Sequence, residues 1–195
     1  MNKGLLGLLV LGGLLAAPSG ATAAGGGFCA LNGTANFTTP LTTTAKDFAY
    51  SFDGKLSPCA GSDGTSVMAT VTAGETINGF PEPKPTGKGS CISSTTSGTS
   101  FVQWSDGNLT IVDYDTTGAL AAVALTGTVR PSITLTRPDP NTPGATISKT
   151  FSTTRYPGGY AGGSLAFAPA DPTACNGAGV TTAGIQGMLG TGSPS

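Results

Sequence analysis

The chain contains no histidine, and only 10% of its residues are charged. Without histidine there is no Ser-His-Asp triad, no Cys-His pair and no His-ligated zinc site. An average soluble domain is about a quarter charged, so serine, threonine, glycine and backbone must cover this surface. A formal net charge of -1 leaves no basic face of the kind a nucleic-acid binder needs. Aromatic residues make up only 7% of the chain, and tryptophan occurs once, at Trp104. Glycine is abundant instead, at 31 of 195 residues, together with 14 prolines.

Long apolar runs are scarce as well. The one candidate is Leu5 to Ala17, preceded by Lys3 and followed by Pro18-Ser19-Gly20 and the small-residue site Ala21-Thr22-Ala23. As a helix it would reach about 20 Å, against a hydrocarbon core of roughly 30 Å. The pattern is that of an export signal over residues 1–23, with cleavage leaving Ala24 first. Neither a lipoprotein nor a sortase anchor is indicated. The first cysteine, Cys29, follows Gly26-Gly27-Phe28, and the chain ends Leu189-Gly190-Thr191-Gly192-Ser193-Pro194-Ser195. The expectation is a secreted single domain over residues 24–195, without membrane insertion, its ends at 24–27 and 191–195 loose.

Four cysteines, Cys29, Cys59, Cys91 and Cys175, form an even set in an exported chain. Two disulfides are expected, with three connectivities open. Cys29–Cys59 with Cys91–Cys175 is favoured, because each bridge then closes its own stretch of chain. No pair has a C-x2-4-C spacing, so a zinc ribbon is disfavoured, and no metal or cofactor is expected.

The periodicity is that of strands. Phe48, Tyr50 and Phe52 alternate with small or polar residues and so share one face. Val67, Ala69 and Val71 alternate similarly within residues 65–73. Phe101 to Trp104 and Leu109 to Val112 flank Ser105-Asp106-Gly107-Asn108, a hairpin signal because the tight turn demands positive φ. Further strand-like runs are 120–129, 132–136, 145–153, 160–167 and 180–189. No apolar set recurs at helical spacing over three turns; residues 118–125 come nearest and read equally well as a buried strand. The expected fold is all-β, an antiparallel sandwich or barrel of about eight to ten short strands. Residues 80–87, with prolines at alternate positions, read as an extended exposed loop, and residues 137–144 as the tip of a long hairpin.

Candidate chemistry is thin. Most carboxylates occupy turn dipeptides (Asp53-Gly54, Asp63-Gly64, Asp106-Gly107) or precede proline (Asp139, Asp171), and Glu82 lies in the proline-rich stretch. Asp47, Glu75, Asp113 and Asp115 remain, and of these Asp113 and Asp115 lie two residues apart on one strand face, about 7 Å from each other, a separation that suits a glycosidase pair or part of a calcium site. Their plainer reading is two solvent-facing aspartates. Trp104 either plugs the barrel end or stacks on a sugar, and Phe48, Tyr50 and Phe52 form either core or a binding face. Gly158-Gly159-Tyr160-Ala161-Gly162-Gly163 is followed by a strand pattern, not by the helix a phosphate loop requires. Lys149 follows Ser148 directly, so the two point to opposite strand faces and cannot pair as base and nucleophile.

The spacing Cys29-x3-Gly33-x-Ala35-x-Phe37-x2-Pro40-Leu41-Thr42, with Gly54-x-Leu56-x2-Cys59, Gly87-x-Gly89-Ser90-Cys91 and Trp104-Ser105-Asp106-Gly107, resembles small exported proteins common in actinobacteria such as streptomycetes. The resemblance implies a disulfide-pinned β domain outside a Gram-positive cell and brings no catalytic residues with it. The leading expectation is a non-enzymatic secreted domain that binds an envelope glycan or a secreted protein, or serves structurally. The alternatives are a glycan hydrolase using Asp113 and Asp115, and a secreted inhibitor or effector engaging its partner through the proline-rich loop.

Overall fold

A computed structural model describes residues 26–61 and 66–192. The export signal expected over residues 1–23 lies outside the described residues. The strands, in chain order, are β1 (Gly27–Leu41), β2 (Lys46–Gly61), β3 (Ala69–Ala73), β4 (Thr76–Ile77), β5 (Phe80–Pro81), β6 (Thr86–Gly89), β7 (Ser93–Trp104), β8 (Leu109–Ala119), β9 (Ala122–Arg130), β10 (Ser132–Pro138), β11 (Thr146–Ser152), β12 (Tyr160–Pro169) and β13 (Val180–Gly192). A single 3-10 turn, Ala174–Asn176, is the helical element among the described residues.

The main sheet closes on itself. Its order is β1-β13-β12-β9-β8-β7-β3-β2, and β2 pairs back onto β1, giving an eight-stranded antiparallel barrel. Each stave neighbours the next in chain order, so the topology is up-and-down. β6 continues β3 after the excursion 74–85: β3 pairs with Phe52–Leu56 of β2, and β6 with Lys46–Ala49. Closure leaves the barrel sheet itself without an open edge among the described residues.

β1 is the seam, with Gly27 opposite Thr191 on one side and Gly61 on the other. Three corrections follow. Gly27, Thr191 and Gly192, expected to be loose, are strand residues that complete the ring. Residues 27–41, assigned no strand from the sequence, form one of the longest staves. Leu120, expected to open a strand, instead sits in the β8–β9 turn at φ 56°, and β9 begins at Ala122.

Side chains alternate in and out along each stave. On β2, Phe48, Tyr50 and Leu56 are buried while Asp47, Asp53 and Lys55 are exposed. On β2 the apolar face therefore turns inward and the polar face outward. Glycine makes room for the inward aromatics. Gly33 and Gly54 are register partners facing the interior, and the Phe52 ring lies across both. A Cβ at Gly54 would meet Phe52 Cζ at 2.8 Å, and one at Gly87 would meet Phe48 Cζ at 2.6 Å.

Outside the barrel, two hairpins pack on one patch of wall. β4 and β5 turn at Asn78-Gly79, both with positive φ as this tight turn requires. β10 pairs with β11, and their tip is the proline-rich segment 139–145. Together they bring Ile77, Phe80, Leu135 and Phe151 over the outward-facing Phe101 and Ile111, which are fully buried. Phe151 meets Phe101 and Phe80 edge-on, with ring centroids 6.2 Å and 5.9 Å apart. Residues 80–87, expected to be an exposed loop, are only half so: Pro81, Pro83, Lys84 and Thr86 are exposed, and both ends of the segment are strand. Phe80, Glu82 and Pro85 are buried, and Pro85 accepts the Tyr50 N–H.

Both disulfides are present, Cys29–Cys59 and Cys91–Cys175. The first joins register partners on β1 and β2 near the barrel base. The second links the β6–β7 turn to the 3-10 turn of the β12–β13 loop. Those connections lie half-way round the ring from one another, so this bridge crosses the opposite end, the mouth.

Peptide mapping without reduction is expected to recover Cys29 joined to Cys59 and Cys91 joined to Cys175. From the residue separations of 30 and 84, the chain-entropy relation assigns about 3.7 and 4.6 kcal/mol to the two bridges. Cys91→Ser/Cys175→Ser is therefore expected to lower stability more than Cys29→Ser/Cys59→Ser in urea titrations. Gly33→Ala is expected to cost about 1–3 kcal/mol by overpacking against Phe52. Gly162→Ala, whose new Cβ meets its nearest neighbour at 3.6 Å, should be close to neutral in the same assay.

Candidate functional site

The barrel interior holds a cavity of about 150 Å³. Trp104, Phe48, Tyr50 and Phe52, the four aromatic candidates, all line it. β2 supplies three of them at inward positions. Phe37 of β1 packs against this stripe, its ring 5.7 Å from Phe48, 6.0 Å from Tyr50 and 6.1 Å from Phe167. The rings are therefore core residues and cavity wall at once.

Trp104 forms the floor. Its Nε1–H donates to Thr110 Oγ1 at 2.9 Å, Tyr156 meets it edge-on at 5.9 Å, and the Arg155 guanidinium lies over its ring at 4.7 Å. Arg155 is itself held by Asp106 in the β7–β8 turn, at 3.1 Å. The Asp106 carboxyl is kept below the ordinary aspartate value by hydrogen bonds from the Asn108 side chain and backbone, with Arg155 contributing less.

At the mouth the cavity reaches Ile92 and Leu120, which are 53% and 74% exposed. Their turns are joined by a hydrogen bond from Leu120 N–H to Ile92 O at 2.6 Å. A cavity whose wall includes exposed side chains opens to solvent there. The Cys91–Cys175 bridge spans the same end. Cys91 N–H also donates to Thr42 O at 2.9 Å, drawing the β1–β2 loop inward.

A connected set of hydroxyls stands among the polar residues of a predominantly apolar wall. Tyr50 Oη lies 2.7 Å from Tyr114 Oη and 3.1 Å from Thr96 Oγ1, and Thr96 Oγ1 lies 2.7 Å from Thr116 Oγ1. All four hydroxyls line the cavity. Burial raises the Tyr50 phenol above its ordinary value, partly offset by its bonds to Thr96 and Tyr114. Burial raises Tyr114 much further, with Tyr50 adding to the effect. Both shifts favour the protonated phenol. Sequence reasoning singled out only Tyr50 of this group. The signal for Tyr114 was present, since in Asp113-Tyr114-Asp115 the tyrosine must face opposite to its neighbours.

Asp113 and Asp115 lie on the outer wall of β8, separated from the aromatic candidates by the sheet itself. Asp113 accepts from Thr99 Oγ1 at 2.7 Å and pairs with Arg130 Nε at 3.1 Å. Asp115 is exposed, beside a shallow outer groove that also includes Asp47 and Lys88. The structure brings the four aromatic candidates together and does not bring the two aspartates to them. Among the described residues, no three of His, Cys, Asp and Glu gather into a metal-ligating group.

Glu82 is a second buried group that the sequence pattern understated. Its carboxylate accepts from Thr72 Oγ1 at 2.5 Å and from Glu75 N–H at 3.1 Å, pinning the excursion 74–85 to the barrel wall. Burial raises its pKa above the ordinary 4.5, against the lowering effect of those two bonds.

Comparison with known proteins finds no matching family model, no matching curated protein and no matching solved structure.

Glu82 sets the expected pH response. A carboxyl whose pKa is raised by folding binds protons more tightly in the folded state. Its contribution is fully present below pH 4.5 and is lost as pH rises through the raised value. Urea midpoints are expected to fall across that window and to flatten in Glu82→Gln. Asp106 and Asp171 shift the opposite way, below the ordinary 3.8, and so act at lower pH.

Proposed function

We propose that this chain is a secreted, non-enzymatic binding domain that takes a small apolar ligand into its barrel through the mouth. The cavity supports this reading. A void of about 150 Å³ has the size that admits benzene in an engineered apolar core. A ligand restores the contacts that the wall residues otherwise lack. Aromatic and aliphatic side chains dominate the wall, with few polar groups, as in small-molecule sites generally. The two disulfides agree with an oxidising compartment outside the cell.

No observation favours the glycan hydrolase. Asp113 is committed to Arg130 and Thr99, and Asp115 stands on the outer wall in an open groove, on the far side of the sheet from the aromatic candidates. The proline-rich segment presents Pro81, Pro83 and Lys84 to solvent, while Phe80, Glu82 and Pro85 are turned into the fold and fix it against the wall.

Toluene is the probe. Saturation at about a hundred times its Kd is expected to stabilise the protein by roughly 2.7 kcal/mol and to shift Trp104 emission, because the indole forms the cavity floor. Ala73→Leu, which fills the interior from an inward position of β3, should abolish both effects. Asp113→Asn and Asp115→Asn should leave them unchanged. A wild-type protein whose melting temperature and emission ignore toluene would sink the proposal.

A further inference from the structure

We propose that the natural occupant is an amphiphile with one unbranched alkyl chain, inserted tail first with its polar end left at the mouth. The inference rests on the cavity reading above and adds the shape and orientation of the ligand.

The strand registers fix the height of the interior. Stepping from Ser94 of β7 to each register partner in turn, the path crosses Gly118 of β8, Leu165 of β12 and Leu56 of β2 and returns to β7 at Trp104. One circuit of the eight staves thus advances ten residues along β7. At about 3.3 Å per residue and about 4.8 Å between staves, that stagger tilts the strands by about 40°. Ser94 and Trp104 then lie about 25 Å apart along the barrel axis. Both line the cavity, and so does every inward residue of β8 from Thr110 to Gly118. A void of about 150 Å³ drawn out over that height is slender, not round. It is pinched part-way down, where the Pro85 ring fills the space in front of Gly98; a Cβ there would meet Pro85 Cβ at 2.7 Å. A compact ring occupies one part of such a space. A chain follows it and gains apolar contact with each methylene.

The wall also distinguishes the two ends. From mouth to floor the inward residues of β7 read Ser94, Thr96, Gly98, Ser100, Val102 and Trp104, polar first and apolar last. Ser90 and Ser93 add two more hydroxyls at the mouth. At the floor the Thr110 hydroxyl is committed, accepting from Trp104 Nε1–H at 2.9 Å and donating to Arg155 O at 2.8 Å. A polar end driven down there would exchange water for Trp104, Val102 and Leu56, which costs free energy. Left at the mouth, it keeps hydroxyls and solvent as partners. The rim suits a chain as well. Ile92 and Leu120 stand exposed and carry the apolar wall outward. Leu120 does so at φ 56°, a left-handed conformation that glycine or asparagine adopts far more readily than leucine.

The test uses three isomeric eight-carbon alcohols on the full chain, by titration calorimetry: 1-octanol, 6-methyl-1-heptanol and 2-octanol. They share one formula, so differences in affinity report shape. The first is unbranched, the second is branched at the tail and the third at the polar end. 1-Octanol is expected to bind about tenfold more tightly than 6-methyl-1-heptanol, and 2-octanol to stay close to 1-octanol because its branch remains at the mouth. From 1-butanol to 1-octanol, affinity should rise about fourfold per methylene. Ala73→Leu should abolish 1-octanol binding, which locates the alcohol in the cavity. Equal affinities for 1-octanol and the tail-branched isomer would overturn the inference, as would a rise that stops at 1-pentanol. So would 2-octanol binding as weakly as the tail-branched isomer, or 1-octanol binding that survives in Ala73→Leu. If toluene still binds in any of these cases, the binding function stands without the chain. Should neither toluene nor any alcohol bind, the binding function fails as well. The wild-type comparison decides without the variant.

Discussion

Closure of the sheet is the constraint on which everything else here depends. Once β1 pairs with both β2 and β13, every stave has one face inside and one outside, and side-chain alternation decides the character of each. A small barrel normally fills its interior with side chains. In this one the large rings lie flat over inward glycines, as Phe52 does over Gly33 and Gly54. Packing rings against bare backbone leaves central space that a row of aliphatic residues would have occupied. The cavity is a product of how closure was achieved.

The same constraint explains what the sequence disclosed and what it hid. Alternation is local, so the inward stripe Phe48, Tyr50, Phe52 and the Asp106-Gly107 hairpin were legible. β1 was not. Its inward positions are Cys29, Leu31, Gly33, Ala35 and Phe37, and three of the five are small or disulfide-bonded. Its strand character derives from partners on both sides, contributed by residues about 20 and about 150 positions away, which no local pattern records. Phe101-Val102 and Ile111-Val112 broke the alternation because two hairpins cover the outer wall there. Consecutive apolar residues in a strand indicate burial on both faces, a cue that points to β4–β5 and β10–β11 before either is seen.

The candidate site was half legible for a related reason. Aromatic residues are few, so Trp104 and the β2 stripe stood out, and they share one enclosure. The hydroxyl chain did not stand out, because Thr96 and Thr116 are two among many threonines. What distinguishes them is that three staves converge on one point, a property of the ring and not of any segment. Asp113 and Asp115 were conspicuous for the opposite reason: in a chain with ten carboxylates, any pair attracts notice, whichever side of the wall it occupies.

The Cys91–Cys175 bridge has a bearing on traffic as well as on stability. A chord drawn across a circular opening divides it into two windows. One window is occupied by the β1–β2 loop, where Cys91 is tied to Thr42 and the Cys91 Sγ lies 3.1 Å from Leu41 O. The other lies on the side of the β8–β9 turn, where Ile92 and Leu120 stand exposed. On the binding function proposed above, entry and exit would be confined to that flank, past a gap bounded by a covalent crosspiece.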